Sequence, residues 1–512
     1  MKKGTAKRVV VWRGDKPVRT IENRYDSATV GTGRSASWTD PDTGPNVSLT
    51  PYLSTLRRRS RGAVRNNPWI FQAIERLVSN EAGVGVTLRS GSSKKGFDSK
   101  MDRLWEDARL QIDFYGTLPF GGLQSAAVRA RRVAGEVFLR RRRLRADAPV
   151  ALPFKVQLLE SEFVPLELNQ DLGSGRVIRS GIEFDRYGQR AAYWMYRKHP
   201  TDDELSLNLS ELVRVPAHDV IHHFDPTGRP GQIRGEPNSA RSLLPARTFD
   251  SYEDAELVRK ETRAPFTGVI TRKEYDDGDF VFDPFTGETI DSSNGPSIVN
   301  ANPGAFLQVY PGEDVTLFDG DNTGQGFIDY SRMVLLKIAA GYGMPYEMLT
   351  GDWSKVNDRL VRAIMNEFRR QIQAAQDHFL VFQVCRGIWR WAVESAVLSG
   401  KVKVSDYHIN TFQYHRVIAR PHAWEYTHPE QDVNTKIKLL ENHLTSRKAI
   451  IDSMPGPTVE EIDRQIEEDQ FKATPNSEPP ADAPEDPKPE PDEDEEADDE
   501  ELTADELEEK KT

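Results

Sequence analysis

The segment from Ile221 to Arg259 changes from a strand pattern to a helical pattern. It begins with the β-favouring run IHHF, passes an Arg-Pro-Gly-Gln turn at 229–232 and an Arg-Gly step at 234–235, and then becomes helical. Asn238 or Ser239 can cap that helix, because both side chains offer an oxygen to free backbone N–H groups. Strand-rich and helix-rich stretches meet here, and the chain is therefore predicted to be of the α+β class.

Strand patterns precede this segment and helical patterns follow it. Runs with β-branched or aromatic residues and alternating polarity occupy 86–235, interrupted by one helix at Gly122 to Val133. Upstream, Asn67 is expected to cap a helix from Pro68 to Ala82, and order is expected to begin near Thr50. Downstream, the patterns predict a small β-rich insertion at 264–325 and helices at 329–340, 359–398, 430–443 and 458–471.

The net charge of −12 is concentrated near the C-terminal end of the sequence. Residues 477–512 carry eighteen Asp and Glu against three Lys, so this segment holds about −15 and the rest of the chain about +3. A Pro-rich acidic segment cannot repay its ordering entropy, and we expect it to be disordered. Overall acidity therefore gives no argument against DNA contact by the remainder of the protein.

Cysteine content and hydropathy limit the compartment in which the chain is made. The one cysteine, Cys385, excludes an intrachain disulfide and is expected to be a buried thiol in an apolar helix. No apolar run reaches the roughly 18 residues that a membrane-spanning helix needs, and no signal-peptide pattern is present. The protein is expected to be cytosolic at synthesis and to have no membrane partner.

Several blocks of the sequence follow one another in a distinctive order. They are VRNNPWIFQAIERLVSNEAGVGV, AGEVFLRRR, VQLLESEFVP, GIEFDRYGQRAAYWMYRKHP, RVPAHDVIHHFDPTGRPGQIRG and GDWSKVNDRLVRAIMNEFRR. In order and spacing, from about 50 to 470, the chain resembles lambda-type bacteriophage portal proteins, the head-tail connectors of phage particles. It departs from them after Asp352, where Trp353, Ser354 and Lys355 replace the family's usual Tyr and paired Ser.

The resemblance implies a portal-type multidomain subunit that forms a mushroom-shaped ring, usually of twelve copies. It implies the following division: a flexible N-terminal arm at 1–48, an α+β wing at 49–238, stem helix 1 at 239–263, a β-rich clip at 264–326, stem helix 2 at 327–345, a tunnel-loop region at 346–358, a wing helix and return segment at 359–428, a helical crown at 429–472, and a disordered acidic tail at 473–512.

The resemblance also implies a function and a set of partners. The ring would stand at one capsid vertex of the virion, assembled in the host cytoplasm, and would serve as the channel for DNA packaging and ejection. It would nucleate procapsid assembly and contact the terminase large subunit, head-completion or adaptor proteins, and the major capsid and scaffolding proteins. The protein would then be no enzyme and need no cofactor.

The candidate DNA-contacting residues follow from what a sliding duplex requires. Phosphate contacts are independent of sequence, and many of them would resist movement, so a channel should mix charges and keep few cations. The resemblance places Asp352, Trp353, Ser354, Lys355 and Arg359 in the tunnel loop, and Arg332 and Lys337 on the channel side of stem helix 2. The alternative is an ordinary solvated loop and helix face. Trp353 could stack on nucleic acid or anchor the loop on a neighbouring subunit.

Two other clusters invite a functional interpretation. Arg140 to Arg143, with a second cluster at Arg57 to Arg61, could bind DNA or pair with carboxylates, and charge on both faces of a strand favours an exposed edge or a subunit interface. His222, His223 and Asp225 could suggest a metal site. However, adjacent strand residues point to opposite faces and no HExxH or CxxC pattern accompanies them, so a structural role is favoured.

Two other classes of protein remain open on the sequence alone. A DNA-processing hydrolase would need clustered acidic metal ligands, and a minor capsid or adaptor protein would lack a channel. No GxxxxGK[ST] loop is present, so a packaging ATPase would have to be a separate partner.

Overall fold

The computed structural model describes residues 8–13, 16–22, 42–202, 212–263, 268–272, 313–317, 324–422, 429–452 and 459–472. The strands are β1 (Arg8–Arg13), β2 (Lys16–Glu22), β3 (Thr87–Ser90), β4 (Glu136–Arg143), β5 (Phe154–Leu159), β6 (Gln170–Gly173), β7 (Arg176–Arg179), β8 (Ile182–Phe184), β9 (Arg190–Met195), β10 (Val213–Pro216), β11 (Val220–Phe224), β12 (Gly268–Arg272), β13 (Glu313–Leu317) and β14 (Val417–Arg420).

Helices surround these strands, and the class is α+β as predicted. The α-helices are α1 (Pro45–Asn66), α2 (Pro68–Glu81), α3 (Lys95–Gln111), α4 (Phe120–Ala134), α5 (Leu243–Arg263), α6 (Gly324–Tyr342), α7 (Tyr346–Thr350), α8 (Asp358–Ala375), α9 (Arg386–Leu398), α10 (Thr411–Tyr414), α11 (Pro429–Glu441), α12 (Arg447–Asp452) and α13 (Val459–Lys472). A 3₁₀ turn at Asn238–Arg241 precedes α5. None of the helices in the described ranges is long and apolar enough to cross a membrane.

The sheets are antiparallel. One has five strands in the order β10-β9-β8-β7-β6, another has three in the order β11-β4-β5, and β14 pairs with β3. In the three-stranded sheet, Val220 of β11 lies opposite Arg140 of β4. β4 is thus a central strand. Of the two settings predicted for its arginines, the exposed edge is wrong, and the subunit interface stays a prediction.

The main core forms where helices cover the three-stranded sheet. Fully buried tryptophans dominate it: the Trp105 ring of α3 contacts the Trp389 ring of α9 edge to face at 5.6 Å, and Trp391 is also fully buried. At Gly387 an added Cβ would lie 2.6 Å from Ile221 Cδ1, so glycine lets α9 lie directly against β11. This contact holds the long helix of the chain to the strand that carries the two histidines.

The helix predicted from Pro68 to Ala82 is confirmed. Asn67 Oδ1 accepts a hydrogen bond of 2.8 Å from the N–H of Ile70, as an N-cap should. Ile70, Ile74 and Leu77, which recur at helical spacing, are buried. The helix predicted at Gly122 to Val133 is confirmed as α4, which ends at Gly135 with φ +90°.

One helix, α3, was not predicted from the sequence. α3 lies in the stretch interpreted as strands and turns, and its buried residues Phe97, Met101, Trp105 and Ala108 recur every three or four positions. Charged residues separate them, so no continuous apolar run marks the helix. The 3.6-residue period is the signal that would have found it.

At the N-terminal end, the structure differs from the expected flexible arm of 1–48. β1 and β2 pair as an antiparallel hairpin, consistent with their β-branched runs RVVVWR and KPVRTIE. α1 begins at Pro45, before the expected Thr50, because Pro45 suits the first helical turn.

The predicted helix from 359 to 398 is confirmed in extent, with an unpredicted change of geometry inside it. Residues Gln376–Cys385, between α8 and α9, form a π-helix. Cys385 is fully buried there, and burial raises the pKa of its thiol, as expected for an unreactive cysteine. Near the C-terminal end, three short helices, α11 to α13, occupy the region where two were predicted.

Much of the predicted β-rich insertion at 264–326 lies outside the described residues. Its described part is an antiparallel ladder in which Gly268 lies opposite Leu317. The predicted acidic tail at 473–512 also lies outside the described residues.

Candidate functional site

Two long helices, α5 and α6, form an antiparallel pair. At one end Ser242 Oγ donates to the carbonyl of Ile338 at 3.2 Å, and a Cβ at Gly341 would lie 2.1 Å from that same hydroxyl oxygen. Midway along α5 the Tyr252 ring lies 4.7 Å from the Tyr330 ring, and near the other end Lys260 Nζ lies 5.5 Å from the Phe327 ring. The pair is therefore held together at both ends.

The faces of this pair that point away from the core carry exposed apolar side chains. Met333 on α6 is 71% exposed and Leu244 on α5 is 72% exposed. Further members of this outward face are Leu257, Ile328 and Leu336. Several large apolar side chains exposed on one pair of helices are typical of a surface that another molecule covers.

The loop between α7 and α8 carries the predicted tunnel-loop residues. Gly351 has φ +74° and ends α7, a conformation that favours glycine. Asp352 Oδ1 then accepts hydrogen bonds from the N–H and the hydroxyl of Ser354, at 3.1 and 2.6 Å. At the far end, Asn357 Oδ1 accepts from the N–H of Leu360 and caps α8. The loop is thus fixed at both ends while its side chains point outward.

The charges of this loop are mixed. The Ser354 hydroxyl, with smaller contributions from the positive charges of Arg332 and Lys355, lowers the pKa of Asp352, which is therefore ionised at neutral pH. Arg332 lies with its guanidinium 5.1 Å from the Tyr346 ring. The structure thus brings Arg332 of α6 close to the loop residues.

The remaining predicted site residues are exposed to solvent, but not all of them lie close to the loop. Trp353 is 36% exposed, and Lys355, Arg359 and Lys337 are exposed. Arg359 lies in the first turn of α8, next to the loop. Lys337 lies on α6 beyond Arg332, and no contact joins it to the loop among the described residues.

The residues of the Arg-Gly step at 234–235 bind a buried carboxylate, a role that the sequence did not predict. Glu136 of β4 is fully buried, and its Oε1 accepts from Arg57 at 2.5 Å and from Arg234 at 2.7 Å. Its Oε2 accepts from the N–H of Gly235 at 2.8 Å and lies 2.9 Å from His222 Nε2. We call these five residues the Glu136 network.

The charges within the Glu136 network compensate one another. Burial opposes ionisation of Glu136, but the positive charges of Arg234 and Arg57 outweigh it and hold its pKa well below the usual value. Burial lowers the pKa of His222 to about 4, so this imidazole is neutral and donates Nε2–H. Arg234 also donates to the carbonyls of Ser180, Ser161 and Val164, which ties the two larger sheets together.

Glycine is required where the two sequence blocks of the network meet. A Cβ at Gly235 would lie 2.0 Å from the carbonyl oxygen of Gly135, and a Cβ at Gly135 would lie 2.5 Å from the carbonyl oxygen of Gly235. The Gly-Glu pair of β4 and the Arg-Gly step therefore form one close backbone contact between distant parts of the sequence. The role of these residues is structural.

The two histidines and Arg141 have structural contacts within this subunit. His223 Nδ1 lies 2.9 Å from Gln383 Oε1 of the π-helix, on the opposite side from the His222 partner, so the two histidines do not converge. Arg141 donates to Asp219 at 2.8 Å and to Glu394 at 2.7 Å. Intrachain pairing of the arginines is confirmed for Arg141.

One group of potential metal ligands exists among the described residues. Glu160, Glu162 and His199 lie close enough to share an ion. However, Arg61 donates to Glu162 at 2.7 Å and lies 3.0 Å from Glu160. Its guanidinium already supplies the positive charge for both carboxylates, so the group is an ion-pair cluster rather than a hydrolytic centre.

Comparison with known proteins gives consistent matches. The model of the phage portal protein family of lambda type matches residues 31–376. A probable portal protein of Halomonas phage phiHAP-1 is 25% identical over 444 residues, covering 85% of this chain and 83% of its own. Portal protein B of Escherichia phage lambda is 20% identical over 368 residues, covering 65% and 67%.

Solved structures similar to this chain come from gene transfer agent particles. The neck of an empty particle, computed with C6 symmetry, matches with 14% identity and a TM-score of 0.47, covering 79% of this chain and 94% of the other. The neck of a native particle, computed with C12 symmetry, matches with 13% identity and a TM-score of 0.47, covering 82% and 96%.

Proposed function

Because the chain belongs to the lambda family of phage portal proteins, we propose that it assembles into a dodecameric ring and that the ring conducts double-stranded DNA. The ring would occupy one vertex of the capsid in the virion. It would dock the terminase large subunit during packaging and head-completion or adaptor proteins afterwards, and would contact the major capsid and scaffolding proteins while nucleating the procapsid.

The outward apolar face of α5 and α6 supports ring formation. Met333, Leu257 and Ile328 are exposed in one subunit. In a cyclic assembly each copy would cover such a face with the next copy, since a heterologous interface closes into a ring when its rotation allows. We therefore assign α5 and α6 to the stem of the ring, with 49–238 and 359–428 as the wing, 264–326 as the clip and 429–472 as the crown.

The observation that carries the channel function is the loop Gly351–Asn357, anchored at both ends and exposed between them. It presents Asp352 and Lys355 together, with Arg332 close to Asp352. A few cations accompanied by a carboxylate attract the phosphate backbone without clamping it, which suits a duplex that must slide. Trp353 can stack on nucleic acid or bear on the neighbouring subunit's loop.

Two substitutions in the loop test the channel function. Trp353→Ala and Lys355→Glu should reduce DNA packaging or retention, because they remove an aromatic contact and reverse a charge facing the duplex. Both side chains are exposed, so ring assembly should continue. Lys403→Glu reverses an exposed charge elsewhere and serves as the matched control.

The measurement is the fraction of DNA-filled particles, with ring assembly followed by electron microscopy. Wild-type filling in both loop variants would dismiss the role of the loop. Divalent-dependent cleavage of DNA by the purified protein would instead favour a hydrolase.

A further inference from the structure

A groove of about 930 Å³ lies between the π-helix with α9 on one side and β14 with α10 on the other. Its lining includes Tyr193, His222, Phe382, Arg386, Arg390, Phe412, Arg416 and Ile418. No Asp or Glu belongs to that lining in the described part of the chain. The proposed function uses none of these side chains, and His222 contacts Glu136 in the interior.

The groove is strongly basic. Arg386, Arg390 and Arg416 are exposed, and within the described ranges none of the three has a carboxylate at salt-bridge distance. Glu394, which follows Arg390 by four residues on α9, is paired with Arg141 at 2.7 Å. Burial lowers the pKa of His415, so this histidine adds no charge at neutral pH. The groove thus presents three exposed guanidinium groups without a salt bridge in the described ranges. A fourth lining arginine, Arg190, is half-buried and donates to the carbonyl of Ile233 at 3.4 Å.

The rim of the groove is apolar as well as basic. Phe412 is 77% exposed, Phe382 is 62% exposed and Ile418 is 47% exposed. The guanidinium of Arg386 lies 5.1 Å from the Phe382 ring, within the range of a cation–π interaction. A ligand that fits should therefore combine several anionic groups with a small number of apolar ones.

The sequence of this protein contains such a ligand. Residues 491–512, PDEDEEADDEELTADELEEKKT, combine dense acidic charge with two leucines, Leu502 and Leu507, five positions apart. We propose that the arginine groove binds this acidic segment, with its carboxylates on the guanidinium groups and its leucines against Phe382 and Phe412. This assignment goes beyond the channel function and does not depend on it.

The length of the intervening chain permits the contact. Thirty residues separate the end of α13 at Lys472 from Thr503. A chain of that length spans about 100 Å when extended and roughly 30 Å as a flexible coil. The segment can therefore reach the groove of its own subunit or of a neighbouring copy.

The apolar rim favours the acidic segment over DNA as the occupant. A duplex would satisfy the arginines through its phosphates but would leave Phe382, Phe412 and Ile418 without an apolar partner, whereas the leucines supply one. When bound, the acidic segment would keep nucleic acid away from this basic surface.

The test places a photoreactive benzoylphenylalanine at Thr503 in the full-length protein and maps its cross-links by mass spectrometry. We expect cross-links to peptides that contain Phe382, Phe412 or Arg416. The double variant Arg386→Glu with Arg416→Glu should lower their yield by about tenfold or more, because two attractions become repulsions. The matched control, Arg58→Glu with Arg59→Glu, reverses two exposed arginines of α1 and should leave the yield unchanged.

A second variant leaves the groove intact. Leu502→Ser with Leu507→Ser retains every charge of the segment and should still lower the yield several-fold if the apolar rim contributes. Cross-links scattered over the surface, or equal yields in the groove variant and the α1 control, would overturn the proposal. It would also be overturned if cross-links to the groove were absent and the groove variant lost affinity for duplex DNA, since the groove would then be a nucleic-acid surface.

Discussion

Replacing Glu136 with glutamine tests the Glu136 network most sharply, because the two side chains have the same shape. The substitution removes the negative charge that lies between Arg57 and Arg234, whose side chains are 2% and 1% exposed. The new amide nitrogen must face either the two guanidinium groups or the N–H of Gly235, and both are donors. The substituted amide would therefore satisfy at most one side of the network.

The expected cost follows from these contacts. Removing one partner of a buried ion pair costs about 3–5 kcal/mol, because an uncompensated charge stays in the interior. The matched control is Glu75→Gln, which breaks the half-exposed pair of Glu75 with Arg129. An exposed pair contributes only about 0–1 kcal/mol, so the control should change stability little.

The assay is guanidinium chloride unfolding of the full-length protein at neutral pH, followed by far-UV circular dichroism. Glu136→Gln should lower the midpoint markedly at an unchanged slope, while Glu75→Gln should leave the midpoint near that of the wild type. If the two variants lost the same stability within about 1 kcal/mol, the network would not have the energetic role that its burial implies.

Two further predictions concern the histidines and the outward helix face. Burial lowers the pKa of His223 from 6.5 to about 3. As the pH drops below about 6.5, this histidine is protonated in the unfolded chain but not in the folded protein, so wild-type stability should fall. His223→Asn keeps a donor for Gln383 and should reduce this loss of stability with falling pH by up to ~1.4 kcal/mol per pH unit. The measurement is unfolding between pH 7 and pH 4. An unchanged slope of stability against pH would contradict the lowered pKa of His223. Met333→Asp should abolish ring assembly in mass photometry while changing subunit stability by about 0.5 kcal/mol or less, because the side chain is 71% exposed; normal rings in this variant would exclude that face from the subunit interface.

The sequence predicted the elements whose signals are local. Asn67 before an apolar period defines α2, and the long pattern after Asn357 defines the helix that ends at Leu398. α3 was missed because its apolar residues are isolated between charges. The π-helix was not predicted because its ten residues lie inside one long helical run and include no Gly or Pro that would mark a change of geometry.

The residues that fix the interior could not be predicted in the same way. Glu136 and Arg234 are 98 positions apart, and neither neighbourhood indicates the other. The arginines of β4 illustrate the same limit: their alternation suggested an exposed edge, but Asp219 and Glu394 come from distant elements and neutralise Arg141 within the subunit. Local patterns determine secondary structure, whereas buried charge partners depend on how the sheets and helices assemble.

The central claim is that α5 and α6 of neighbouring copies form the wall of a passage for duplex DNA. Cryo-electron microscopy of the purified full-length protein tests it most directly. We predict closed rings with a central opening of at least about 20 Å, the width of a duplex, lined by α6 and the loop Gly351–Asn357. Only monomers or compact dimers, with the outward faces of α5 and α6 packed into a self-contained particle, would contradict it.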